Sequence, residues 1–141
     1  MLPGKQLIGT VGFGYDRGKD SHSAYRLYGE GAYYLLPGWV LQGGVTWNRS
    51  MPGAVPGHTQ YLALTQGHEK HHFIALRGEY GREAYQLISP DTVLVNFLIR
   101  DISATWRQWL APNWGFNFTI EHYSNPSYRS IGGTMGFFLD F

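Results

Sequence analysis

Two side chains near the end of the chain have the types and the spacing of a nucleophilic site. His122 and Ser124 stand two positions apart, and residues two apart in a strand point to the same side. An imidazole beside a hydroxyl can begin such a site, but an acid must orient the imidazole. Alternation turns Glu121 to the opposite side, and Asp140 falls at the far end of the last strand. The sequence therefore places a base beside a hydroxyl without supplying their acid.

A second group of ionisable residues comprises His68, Glu69, His71 and His72. The group stands at a predicted turn, so it lacks the helical spacing of the HExxH zinc motif. A solvated turn is the prediction, with no metal site and no cofactor.

Composition excludes several classes of protein. A length of 141 residues fits one domain, and 11 basic against 10 acidic residues leave no basic stripe for nucleic acid. Without cysteine there are no disulfides and no cysteine-ligated metals. The start, MLPGKQ, shows no export signal, so either the sequence is a mature or truncated form or the expectation of export is wrong.

Alternation of apolar and polar residues is the main structural signal, and it recurs along the whole chain. With glycine- and aromatic-rich segments of this kind, it predicts an all-β, eight-stranded antiparallel up-and-down transmembrane β-barrel. The predicted strands are 7–15, 25–35, 39–48, 59–67, 74–81, 93–110, 114–123 and 131–141.

The predicted connections alternate in length, as they do in outer-membrane barrels with long outer loops and short periplasmic turns. Long connections are predicted at 16–22, 49–58, 82–92 and 124–130. The sixth strand is too long for one regular pass. Its outer phase changes from Val95, Phe97 and Ile99 to Ile102, Ala104 and Trp106, which predicts a bulge near Arg100-Asp101.

The predicted strand faces separate charged from apolar side chains. Charged residues on the inner face would fill a narrow eight-stranded lumen as a structural charge network, with the members Arg26, Glu30, Arg77, Glu79, Arg100, Arg107 and Glu121. The outer face should expose the apolar residues, whereas a soluble lipocalin-like binding barrel, the non-membrane alternative, would bury them. These residues are Val11, Phe13, Leu27, Leu41, Val45, Leu76, Phe97, Phe116, Phe118, Phe137 and Leu139.

Aromatic residues mark the expected membrane boundaries. Tryptophans near the strand ends predict an interface girdle, formed by Trp39, Trp47, Trp106 and Trp114. The last strand ends on Phe137, Leu139 and Phe141, which resembles the signal by which bacterial outer-membrane barrels are recognised for assembly. That resemblance implies the barrel-assembly machinery as a partner.

Three phrases carry a resemblance to one family: YGREAYQL at Tyr80, TWRQWLAPNWGFNF at Thr105 and EHYSNPSYRSIGG at Glu121. They are similar to the closing half of the YaiO family of outer-membrane barrels. The resemblance implies the outer membrane of a Gram-negative bacterium, lipid and lipopolysaccharide as partners, and an envelope role that in some relatives lies near polysaccharide export. Members are longer at the front, so it also implies that residues 1–141 form one barrel domain lacking N-terminal strands or a periplasmic domain of the full-length family.

The segment from His122 to Asn125 is similar to the His-x-Ser-Asn segment of lipid A 3-O-deacylases, which are also eight-stranded barrels. This resemblance implies the alternative of an outer-membrane hydrolase using His122 and Ser124. Because the acid is missing, we predict no enzyme activity. In that case His122 and Tyr123 are interface residues, and Asn125-Pro126 opens a turn.

Overall fold

The computed structural model describes residues 6–17, 23–51, 53–89 and 92–140, although not the side chains of 85–89 and 92. Every regular element in this part of the chain is a strand, in agreement with the predicted all-β class. The strands are β1 (Leu7–Arg17), β2 (Ser23–Leu36), β3 (Trp39–Met51), β4 (Val55–His68), β5 (His72–Ser89), β6 (Thr92–Ala111), β7 (Trp114–Ser124) and β8 (Arg129–Leu139). Among the described residues, no helix is long and apolar enough to cross a membrane.

The sheet has the predicted up-and-down topology. Each strand pairs with the next in antiparallel fashion, in the order β1 to β8. Val11 pairs with Gly29, and Met135 pairs with Phe118. Within the described ranges, no ladder joins β1 to β8. The prediction of eight antiparallel strands in an all-β barrel architecture is confirmed.

The two faces of the sheet differ in exposure, and cross-strand partners share a face. Four of the buried apolar residues lie on one face, here called the inner face: Ala63, Phe97, Ile99 and Trp109. The opposite, outer face carries large exposed apolar residues. Phe13, Leu27, Leu76 and Phe137 are 68%, 54%, 55% and 74% exposed. The outer face therefore has the character predicted for a surface in contact with lipid.

The structure corrects the prediction for β6. Phe97 and Ile99 are 5% and 3% exposed and lie on the inner face. The irregularity is at Asn96, whose φ of 50° is left-handed, a conformation that asparagine adopts more readily than most residues. No register shift occurs at Arg100 or Asp101. Arg100 therefore pairs with Tyr80 on the outer face, whereas a bulge at Arg100-Asp101 would have turned it inward.

Two predicted long connections are also wrong. β3 continues to Met51 and β4 begins at Val55, while β5 continues to Ser89 and β6 begins at Thr92. The second hairpin continues because β-branched and aromatic residues there favour strand pairing, and Tyr85 and Leu87 pair with Val95 and Val93. We call the end of the sheet at which β3, β5 and β7 end the rim end. The opposite end, with 37–38, 69–71 and 112–113, is called the turn end.

Candidate functional site

A polar cluster occupies the middle of the inner face. The Tyr61 hydroxyl donates a hydrogen bond of 2.8 Å to Glu30, and the Arg77 guanidinium lies 3.9 Å from the centre of the Tyr61 ring. Arg77 also donates to Glu79 at 2.7 Å. The cluster spans β2, β4 and β5, because Glu30, Tyr61 and Glu79 occupy successive strands in one row of partners through Gly44. Three of the predicted charged residues are thus brought together, with a tyrosine that the prediction omitted.

Of the other predicted network residues, Glu121 borders this cluster, because it faces inward in a row with Ser103 and Arg77 and is hydrogen-bonded to Asp101. The three remaining arginines lie apart from it. Arg26 forms an ion pair with Asp16, with a nitrogen–oxygen distance of 3.5 Å, nearer the rim end. Arg107 forms an ion pair with Asp140, at 3.6 Å, near the turn end. Arg100 lies on the outer face, so it is not a member of any inner network. The predicted lattice is therefore one central cluster with separate ion pairs towards each end.

An aromatic layer, which we call the floor, covers the part of the inner face that β5 to β8 form at the turn end. The floor consists of Phe73, Trp109 and Phe138, with the Arg107 guanidinium packed between rings. Trp109 lies edge-on to Phe73 at 5.7 Å and to Phe138 at 5.0 Å. The Arg107 guanidinium lies 3.9 Å from the Phe138 ring centre and 4.5 Å from that of Trp109. The strands β5, β6 and β8 thus each contribute one apolar ring to the floor.

Asp140 ties this layer to a distant turn. Its Oδ2 accepts hydrogen bonds from Trp109 Nε1 at 2.8 Å and from Lys70 Nζ at 3.0 Å. These two hydrogen bonds, with the charges of Lys70 and Arg107, lower the pKa of Asp140 below its ordinary value of 3.8. The carboxylate therefore stays ionised to lower pH than a free aspartate, and it holds residues from β6, β8 and the turn before β5 together.

His122 and Ser124 lie on the outer face, as predicted. His122 pairs with Ile102 and Ile131, while Ser124 pairs with Arg100 and Arg129. All carboxylates described within strands face inward, namely Asp16, Glu30, Glu79, Glu83, Asp101 and Glu121. Nothing on the described outer face can therefore act as the acid of a triad. Asn125 opens a turn, because its side-chain oxygen accepts from the backbone N–H of Ser127 at 2.8 Å and of Tyr128 at 2.9 Å.

The histidine-rich turn at residues 68–72 does not assemble a metal site. Across the described ranges, no group of three or more histidines and carboxylates is placed to hold a metal ion. His72 instead lies 3.1 Å from the side-chain oxygen of Gln66.

A family model described as the YaiO membrane beta barrel domain matches residues 2–86. The match covers more than half of the chain. The chain belongs to the YaiO membrane β-barrel family. No curated protein matches, and no solved structure matches. The matched segment contains β1 to β4 and most of β5, so the resemblance predicted for the closing half stays a prediction, as does the similarity to the deacylases.

In this YaiO barrel the predicted girdle tryptophans all face outward. Trp47 is 52% exposed towards the rim end, whereas Trp39, Trp106 and Trp114, at 38%, 44% and 39%, lie towards the turn end. Phe137 and Leu139 are exposed on β8, and Phe141 lies outside the described residues. Their roles as girdle and assembly signal stay predictions.

The floor was not predicted from the sequence. Trp109 has the inner phase of β6, and Phe138 has the inner phase of β8, so the alternation did contain a signal. Its meaning depended on cross-strand register, which places Trp109 opposite Gly115 and Gly115 opposite Phe138. The absence of a side chain at Gly115 leaves space for the Phe138 ring, whose Cζ would lie 2.7 Å from a Cβ there.

Proposed function

We propose that this YaiO barrel is an outer-membrane envelope protein of a Gram-negative bacterium whose lumen is closed to ions. The observation that carries the proposal is the floor, where Trp109 is 8% exposed and contacts the rings of Phe73 on β5 and Phe138 on β8. An eight-stranded barrel leaves an interior just wide enough for side chains to fill. The central cluster of Glu30, Tyr61, Arg77 and Glu79 would then occupy the space between the floor and the rim end.

Outer-membrane location is supported by the exposed apolar outer face and by the arrangement of the ends. Barrels of this class have short turns in the periplasm and longer segments outside. The turn-end connections have two or three residues, whereas at the rim end the β5–β6 ladder continues beyond Arg82 and Arg100 to Ser89 and Thr92. This difference would direct the floor towards the periplasm and the rim end outward. A role as a membrane anchor within the envelope follows from a lumen that passes nothing. A link to polysaccharide export, implied only by family resemblance, stays a prediction.

Ion conductance across planar bilayers tests the proposal. The purified full chain should give no steady channels. The double variant Trp109→Ala, Phe138→Ala removes two floor rings and should give measurable currents. Any leak should prefer cations, because six carboxylates of the strands face the lumen against three arginines: Asp16, Glu30, Glu79, Glu83, Asp101 and Glu121 against Arg26, Arg77 and Arg107. Trp114→Ala removes an outer-face tryptophan and should stay silent, as the matched control.

Large, steady single-channel currents from the unaltered chain would contradict the proposal. A silent double variant would also count against the floor as the closing element, provided that the variant keeps the heat-modifiable migration of a folded barrel on gels.

A further inference from the structure

The arginines of the outer face are all at the rim end. Each lies in the last or second-last pair of one of its ladders: Arg17 opposite Ser23, Arg49 opposite Pro56, Arg82 opposite His58, and Arg100 and Arg129 on either side of Ser124. The β5–β6 ladder alone continues well beyond this level, to Ser89 and Thr92. An arginine facing lipid costs about 2–4 kcal/mol at the bilayer midplane and only about 0–1 kcal/mol near the interface. This placement therefore aligns all five with a lipid headgroup layer.

These five arginines differ from those of the inner face in their partners. Each inner-face arginine has a carboxylate within 3.6 Å: Asp16 for Arg26, Glu79 for Arg77 and Asp140 for Arg107. None of the five outer arginines has a carboxylate partner among the described residues, and every carboxylate described within a strand faces the other way. Among the described residues, the outer face at the rim end thus carries a band of arginines without carboxylate partners.

The row Arg100–Ser124–Arg129 is the densest part of this band. It places two guanidinium groups on either side of a hydroxyl on three adjacent strands. Directly opposed side chains in a sheet have Cβ atoms about 5 Å apart, so all three can donate to one tetrahedral anion. Arginine donates in a fork that matches phosphate oxygens. The same Ser124 that lacks an acid for hydrolysis therefore stands between two anion-binding groups.

An apolar groove of about 750 Å³ reaches Arg100, the first residue of this row. Three consecutive residues of each strand from β2 to β6 line the groove, and the first and third of each three face outward. Four of these ten outward-facing residues are glycines, namely Gly29, Gly31, Gly43 and Gly78. Leu62 and Ile102 form its apolar surface, and Arg100 stands at one end. An apolar groove beside a phosphate-binding row can hold the acyl chain of a lipid. It therefore favours a lipid phosphate over free phosphate, which has no apolar part to bind there.

We propose that the row Arg100–Ser124–Arg129 binds a phosphate of a phosphorylated glycolipid of the lipid A type, with an acyl chain in the glycine-lined groove. The site rests on the proposed function for its orientation, since the rim end must contact the leaflet that carries such lipids. It does not depend on a closed lumen.

Binding of purified bis-phosphorylated lipid A to the full chain in nanodiscs tests the proposal, with phosphatidylethanolamine and inorganic phosphate as comparison probes. Arg100→Gln and Arg129→Gln should each weaken lipid A binding about tenfold or more, because hydrogen bonds to charged groups are of that strength. The lipid A affinity of Arg100→Lys should fall between those of Arg100→Gln and the unaltered chain, because lysine keeps the positive charge but lacks the two-pronged guanidinium donor. Arg26→Gln, the same change on the inner face, should bind as the unaltered chain does.

The groove is tested separately by Gly78→Leu. A Cβ at Gly78 meets no atom within 4 Å, so the barrel should fold, while the leucine fills the groove and weakens binding of the acylated lipid severalfold. Gly9→Leu is the control, since Gly9 is equally open and lies outside the groove.

Equal lipid A affinity of the unaltered chain and the Arg100→Gln, Arg129→Gln double variant would overturn the proposal. So would an equal loss from Arg26→Gln, lipid A binding no tighter than phosphatidylethanolamine, or full competition by inorganic phosphate at comparable concentration. Failure of Gly78→Leu to weaken binding would remove the groove from the site. Conductance of the same variants reports on the lumen alone, so a conducting chain that still binds lipid A would contradict only the proposed function.

Discussion

Lys70 and Asp140 are joined by a hydrogen bond of 3.0 Å, although one precedes β5 and the other follows β8. In a flat sheet, three strand spacings of about 4.8 Å would separate those positions. The contact therefore requires the wall from β5 to β8 to curl strongly at the turn end. The carboxylate that makes it also accepts from Trp109, so the curvature and the floor depend on the same group.

Acid should weaken the turn end. Because the folded-state pKa of Asp140 lies below its ordinary 3.8, its contribution to stability is fully present above that value and is lost as pH falls through the folded pKa. We expect the unfolding temperature to drop over this acidic range in the unaltered chain, and to drop less in Asp140→Asn. A gel-shift melting series from pH 6 to the acidic limit of solubility measures both. If the unfolding temperatures of the unaltered chain and Asp140→Asn depended on pH in the same way, ionised Asp140 would not contribute to the stability of the barrel.

Filling the space beside the floor should destabilise the barrel. A Cβ at Gly115 would lie 2.7 Å from Phe138 Cζ and would also overlap the Gln108 carbonyl oxygen. Gly115→Ala should therefore cost about 1–3 kcal/mol, the usual range for overpacking. Gly132→Ala is the control on the same face, because a Cβ there meets nothing within 4 Å. Chemical denaturation in detergent compares the two, and equal stabilities would mean that the floor is loosely packed.

Strand number and most strand faces could be predicted because period-two alternation is a local property of the sequence. The face of Arg100 could not, since it depends on the left-handed conformation that Asn96 adopts. Nor could the floor, since Phe73, Trp109 and Phe138 meet through cross-strand register and curvature. At the rim end, proline and glycine near Pro56 suggested a loop, yet Pro56 pairs with Arg49 inside the β3–β4 ladder.

Expression of the chain should leave lipid A chemically intact. His122 and Ser124 share the outer face, but the carboxylates described within strands all face inward, and related triads lose a factor of about 10⁴ without a correctly placed acid. Mass spectrometry of lipid A from cells that express the unaltered chain and Ser124→Ala should give the same acylation pattern. Loss of a 3-hydroxyacyl chain with the unaltered protein alone would make the chain a deacylase.

Cross-linking should reveal how β1 and β8 are related, and the chain suits the experiment because it contains no cysteine. A membrane barrel leaves no open sheet edge in lipid, so we expect Val11→Cys to form a disulfide with one outer-face cysteine of β8. The candidates are Ile131, Gly133, Met135, Phe137 and Leu139, each replaced singly. Thr134→Cys and Gly136→Cys point to the inner face and should not react, because bridged Cβ atoms must lie about 3.5–4.5 Å apart. The pair Val11→Cys, Gly29→Cys occupies an established ladder position and serves as the positive control. If that control forms while all five outer pairs fail, β1 and β8 are not neighbours, and the eight strands do not close on themselves.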